Sequence, residues 1–129
     1  MGKIEKFEDI EAWKKARELT KNIYELTDKG LLARDFGLKD QLRRSSISIM
    51  ANIAEGFERG GDKEFRQFLA IAKGSVGELK AQLYVALDAD LITIEQFSSL
   101  SSLADETSCL VAGFMRYLKQ SVHKGSKYK

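Results

Sequence analysis

Few side chains of this sequence could do chemistry. Glu55 and Glu78 come first, each inside a helix-forming stretch and preceded by small polar residues: Ser48 and Asn52 in one case, Ser75 in the other. Two facing carboxylates could act as general acid and base or hold a cation. The same five residues also suit a structural hydrogen-bond network, which is the favoured reading, because a buried amide or carboxylate must find partners. A metal site is not expected, since it needs clustered His, Cys or carboxylates. The only histidine is His123, in the C-terminal tail, and the only cysteine, Cys109, stands alone on a helix. A Ser–His–acid triad would have to recruit that one histidine, and Cys109 reads as a small buried core residue rather than a nucleophile. Gly60-Gly61 follows no strand and belongs to no Gly-x-x-x-x-Gly-Lys pattern, so no phosphate loop is expected. Neither catalysis nor a cofactor is expected.

The basic residues offer a different chemistry. Arg43, Arg44, Arg59, Lys63 and Arg66 fall on the second helix and the turn into the third. Arg116, Lys119, Lys124, Lys127 and Lys129 follow in a closing stretch without an acid. Guanidinium groups suit bidentate phosphate contacts. The tail reads either as a solvated end or as an electrostatic arm for phosphate. Against a nucleic-acid role, 19 acids nearly balance 21 bases, for a net charge of +2. No base-reading motif occurs, and Trp13, Tyr24 and most phenylalanines fall at core positions rather than on a stacking platform.

These residues must be positioned by helices. The chain has 129 residues, 43% hydrophobic and 31% charged, and no proline, so one domain with long uninterrupted helices is expected. No apolar run approaches the roughly 18 residues of a membrane span. The opening MGKIEKFEDIEAWKK lacks an apolar core and carries early acids, which argues against a secretory leader. A lone cysteine fits a reducing cytoplasm.

Four periodic segments follow. The first spans about Glu8 to Asp28, with Trp13, Ala16, Thr20, Ile23 and Thr27 on one face. The second spans about Gly37 to Arg59, and the third about Lys63 to Ala89, with Asp62 as its N-cap. Thr93 and Gln96 form a capping box for the fourth, which runs to about Lys119. Its Phe97, Leu100, Ala104, Thr107, Val111, Phe114 and Leu118 make a heptad seam. The spacing predicts an all-α, antiparallel up-and-down four-helix bundle over residues 1–120, followed by a basic tail, residues 121–129.

On a helical wheel the second helix carries one polar stripe: Gln41, Arg44, Ser45, Ser48, Asn52, Glu55 and Arg59. The apolar residues fill an arc of more than about 200°, wider than an outer bundle helix needs. One side would face the core and the other a second subunit. The third helix has a core stripe from Phe65 to Leu87 and a second face of Ala70, Gly74, Gly77 and Ala81. Gly74 and Gly77 suggest close helix packing, within or between subunits; the plain alternative is tolerated surface glycines. Ser75, Glu78 and Gln82 could face the polar stripe, where Asn52 and Glu55 would make interhelical bonds that fix register. A solvated stripe is the alternative.

The stretches FEDIEAWKKARELTKNIYELT and GLKDQLRRSSISIMANIAEGFERGGDKEFRQFLAIAKGSVGEL resemble the bacterial four-helix-bundle family named for 23S rRNA intervening sequences, some of whose members are labelled S23 ribosomal proteins. The resemblance spans about residues 7 to 120 and is sharpest at Gln41–Arg44, Ser48, Ala51–Gly56 and Gly74–Leu79. Met50 stands where members often have proline, a difference of packing rather than chemistry. The resemblance implies a ring-like homopentamer without catalytic activity. The chain is also similar to basic accessory proteins of diversity-generating retroelements, which implies nucleic-acid binding by a pentameric surface. The expectation is a non-enzymatic, cytoplasmic, homo-oligomeric scaffold that binds RNA or structured nucleic acid. Its phosphate contacts would be Arg43, Arg44, Arg59, Lys63, Arg66, Arg116, Lys119 and Lys124. The alternative is a protein–protein adaptor with no nucleic-acid role.

Overall fold

The computed structural model describes residues 4–123. Four α-helices carry the chain: α1 (Glu11–Thr27), α2 (Phe36–Arg59), α3 (Asp62–Asp88) and α4 (Ile94–His123). Short 3-10 turns at Phe7–Asp9 and Leu32–Arg34 precede α1 and α2, and no strand occurs among the described residues. Each helix packs on its chain neighbours, and α1 closes against α4. The result is a four-helix bundle.

Local chemistry explains the helix ends. α1 begins at Glu11, three residues later than the sequence predicts. Ile10 is extended and almost fully buried, and the 3-10 turn before it sets the Phe7 ring edge-on to Trp13 at 5.1 Å. Asp35 caps α2 by accepting a hydrogen bond from the Leu38 amide at 3.1 Å. Gly60 ends α2 with φ +86°, a left-handed conformation that glycine adopts without a Cβ penalty. Asp62 is not the N-cap of α3. The two-glycine reversal returns the chain to helix one residue early, so extended Gly61 takes the cap position without a side-chain bond and Asp62 is the first helical residue. Its charge suits the positive end of the helix dipole there. The capping box of α4 forms as the sequence predicts: the Thr93 amide donates to Gln96 Oε1 at 2.8 Å, and the Gln96 amide to Thr93 Oγ1 at 3.0 Å.

The core draws on all four helices. The α3 stripe Phe65, Leu69, Ala72, Val76, Leu79, Leu83 and Ala86 is buried, as is the α4 seam from Leu100 to Leu118, with Phe97 partly covered. Fully burying a leucine or isoleucine contributes about 1.5–3 kcal/mol, and Leu19, Ile23, Leu42, Ile49 and Ile53 of α1 and α2 complete the same core. Leu19 and Leu32 are fully buried although neither lies on a predicted face. Two core assignments fail. Cys109 is exposed, because it lies on the outward side of α4. Tyr24 is 38% exposed, its ring covered by the Arg43 guanidinium at 4.1 Å instead of by the core.

Candidate functional site

The polar stripe of α2 does meet α3, by a shorter route than expected. Ser48 Oγ and Ser75 Oγ lie 2.8 Å apart across the two helices, and Ser75 is buried. Asn52 supports this contact from within α2: its Nδ2 donates to the Ser48 carbonyl at 2.8 Å and to Ser48 Oγ at 3.0 Å. Farther along, Gln82 Nε2 donates to Gln41 Oε1 at 3.3 Å. The bonds from the stripe to α3 therefore come from Ser48, Gln41 and Arg59, not from Asn52 and Glu55. Glu55 pairs along its own helix with Arg59 Nε at 3.0 Å, and Arg59 Nη1 reaches Glu64 of α3 at 3.4 Å. Glu78 is exposed and enters no hydrogen bond or ion pair among the described residues. Glu55 and Glu78 thus form no acid–base pair. No group of three His, Cys, Asp or Glu residues that could hold a metal occurs among the described residues.

The glycines sort in the opposite way to the expectation for packing within one chain. A Cβ on Gly74 or Gly77 would meet nothing within 4 Å. Both glycines lie on the outer side of α3, exposed with Ala70 and Ala81. Close helix packing occurs at Gly56 instead, where a Cβ would lie 2.7 Å from the Phe65 ring and 2.7 Å from the Phe68 Cβ. The wide apolar arc of α2 splits likewise. Leu42, Ile49 and Ile53 are buried, whereas Ile47 is 44% exposed and Ala51 faces outward. On α3, Ile71 and Val85 are 52% and 54% exposed. Among exposed charged residues such as Arg44, Glu58 and Glu78, these aliphatic side chains on the outer sides of the two helices stay largely uncovered by the described residues.

The basic residues do not form one cluster. Arg43 and Arg59 stand sixteen residues apart on a straight helix, about 24 Å along its axis. Arg43 is a fastener between helices: its Nε donates to Thr27 Oγ1 at 2.8 Å, and Thr27 in turn donates to the Ile23 carbonyl at 2.8 Å. Arg44 is paired with Asp40 at 2.8 Å. Arg59 is held by Glu55 and Glu64 and lies over the Phe68 ring. Lys63, Arg66, Arg116 and Lys119 take part in no ion pair among the described residues, and Lys63, Arg116 and Lys119 are exposed. α4 continues past residue 120 to His123, and Lys124, Lys127 and Lys129 lie outside the described residues. Lys73, exposed and equally unpaired, is a basic residue that the sequence reading missed. Its signal was present in the sequence, since it stands seven residues after Arg66 and so on the same flank of α3.

Lys80 bridges to Asp105 of α4. That hydrogen bond, opposed by partial burial, holds its pKa above the ordinary 10.5. An apolar recess of about 500 Å³ opens between the start of α1 and α4, walled by Ile4, Ile10, Leu110, Gly113, Phe114 and Tyr117. No helix among the described residues is long and apolar enough to cross a membrane.

Comparison with known proteins agrees with this architecture. A crystal structure of a protein of unknown function from the S23 ribosomal protein family of Bacteroides thetaiotaomicron superposes with a TM-score of 0.73. It is 25% identical, and the match covers 81% of this chain and 97% of that one. No curated protein matches the chain. Residues 8–113 match the profile of the 23S rRNA-intervening sequence protein family, and the chain belongs to that family.

Proposed function

We propose that this protein is a non-enzymatic cytoplasmic scaffold that assembles with copies of itself, as the pentamer implied by the family resemblance. In that form it binds RNA or other structured nucleic acid through its basic surface. The observation that carries the reading is the outer side of α3. Two mid-helix glycines there, Gly74 and Gly77, each cost about 1 kcal/mol relative to alanine. Neither is required by a turn or by a neighbour in the same chain. Flanked on α3 by the exposed Ile71 and Val85, they suit the close approach of a helix from another copy, which would also cover those aliphatic residues. Assembly repeats a modest charge patch, so weak phosphate contacts become multivalent.

The rival adaptor reading draws on the recess between α1 and α4, which could receive an apolar side chain of a protein partner. Fluorescence anisotropy of labelled structured RNA and duplex DNA separates the two. Submicromolar binding that weakens tenfold or more between about 50 and 200 mM salt supports the scaffold reading. Absence of binding at the lower salt, from assembled protein, removes nucleic acid and favours the adaptor.

A further inference from the structure

Resting on that nucleic-acid reading, we infer that phosphate is held in the furrow between α3 and α4, by Arg66, Lys73, Arg116 and Lys119, and that the arginines of α2 take no part. The Lys80–Asp105 bridge fixes the register of this antiparallel pair. One heptad toward the α2–α3 turn, Lys73 comes opposite Ala112, and a second heptad brings Arg66 opposite Lys119. Arg116 lies one turn from Lys119 on the outer side of α4, its Nη2 3.7 Å from where a Gly113 Cβ would stand, so it joins the furrow by swinging across the helix. Arg66 and Lys73 are about 10.5 Å apart along α3. α3 has no acid between Phe65 and Gly77, and α4 has none from Thr107 to its end at His123. Asp62 and Glu64 precede Arg66 at the start of α3, yet none of the four cations forms an ion pair among the described residues, and Arg66 Nε is buried without an acceptor there. By contrast, Arg44 and Arg59 are already neutralised and Arg43 is committed to α1.

The furrow's shape selects the ligand. Ala112, small and half-buried, stands opposite Lys73 and leaves room there for a polymer backbone. Phe114 is buried, Tyr117 lines the recess toward α1, and the exposed ring on this flank, Tyr84, packs on Phe97 at 4.8 Å, about 17 Å along α3 from Lys73. Between Arg66 and Lys73, base stacking, the usual basis of single-strand binding, therefore has no platform. A strip about 10.5 Å long spans roughly three phosphates of one strand at 3.4 Å rise, as in a duplex. None of the large exposed aliphatic side chains, Ile47, Ile71 and Val85 among them, lies in the furrow to anchor it in a lipid surface.

The test is anisotropy of a labelled DNA duplex and a labelled RNA hairpin as salt is raised. Four contacts give a duplex slope of about −3.6, an affinity loss of about 150-fold for each fourfold rise in salt. Lys73→Gln with Lys119→Gln should halve that slope, however many furrows engage, and weaken binding at least tenfold. Arg44→Gln removes one unit charge per chain, against two in the double variant, and should stay within about twofold of the parent, where Lys73→Gln alone should lower the slope by about a quarter. Wild-type binding that the double variant leaves unchanged, or that Arg44→Gln weakens equally, overturns the furrow alone. A wild-type protein silent at about 50 mM salt overturns the nucleic-acid reading and the furrow with it. Capture by phosphatidylglycerol vesicles in place of RNA and duplex would do the same.

Discussion

Replacing Gly56 by alanine should weaken the fold, although alanine is the better helix former. At an open mid-helix site the exchange gains about 1 kcal/mol. Gly56 is not open: the added methyl would lie 2.7 Å from Cδ1 of Phe65, 3.2 Å from its Cε1 and 2.7 Å from Cβ of Phe68. The Phe65 ring cannot swing aside. It is fully buried and set edge-on to Phe114 at 5.3 Å and to Phe57 at 6.2 Å. The Phe68 Cβ moves only if the α3 backbone moves. Overpacking of this kind costs about 1–3 kcal/mol, and two contacts this short place the cost at the top of that range. After the propensity gain, a net loss of about 1–2 kcal/mol remains. For a chain of this size that lowers the melting temperature by about 4–8 °C. Far-UV circular dichroism at one fixed protein concentration reads it, with Gly56→Leu expected to be far worse. A Gly56→Ala melting temperature equal to or above the parent's would refute the close approach of α2 and α3.

The same logic gives opposite signs elsewhere. Gly74→Ala should raise the intrinsic stability of the chain by about 1 kcal/mol while weakening assembly, which urea unfolding and sedimentation velocity at matched concentrations would resolve. Ser48→Ala alone should cost about 1–2 kcal/mol by stranding the buried Ser75 hydroxyl, whereas Ser48→Ala with Ser75→Ala should recover most of that loss in a double-mutant cycle. Thr93→Ala removes one arm of the capping box and should cost about 0.5–2 kcal/mol in chemical denaturation, with nucleic-acid affinity unchanged. The Lys80–Asp105 bridge sets a pH dependence. Because the folded lysine's pKa is raised above 10.5, its contribution is full below that value and is lost as pH climbs through the raised one. Asp105→Asn should abolish that alkaline component in a comparison of unfolding at pH 8 and pH 11.

The helices were legible in the sequence because their signals are local and repeated. The heptad from Phe97 to Leu118, the stripe from Phe65 to Ala86 and the Thr93–Gln96 box each specify a face or an end without reference to the rest of the chain. The glycines were not. Gly56, Gly74 and Gly77 all interrupt helices, and only the facing residues show that the first is crowded and the other two bare. Charge partners were hidden for the same reason: Arg43 reads as a phosphate ligand until Thr27 and the Tyr24 ring are found beside it. Cys109 was misassigned because composition favours burial of cysteine, while its orientation on α4 follows from the seam on either side of it. Lys73 shows the converse, a residue whose place beside Arg66 follows from heptad spacing and whose importance emerges only with the Lys80–Asp105 register.

Self-association is the claim on which the rest depends, because it alone gives Gly74, Gly77, Ile71 and Val85 a common role. The most direct measurement is the solution mass of the full chain by multi-angle light scattering, beside Gly74→Leu. The prediction is a stable multiple of the 14.5 kDa chain, reduced toward the single chain by Gly74→Leu with helicity retained. A wild-type protein that stays at 14.5 kDa across micromolar concentrations, or a Gly74→Leu variant that assembles as the parent does, would contradict it.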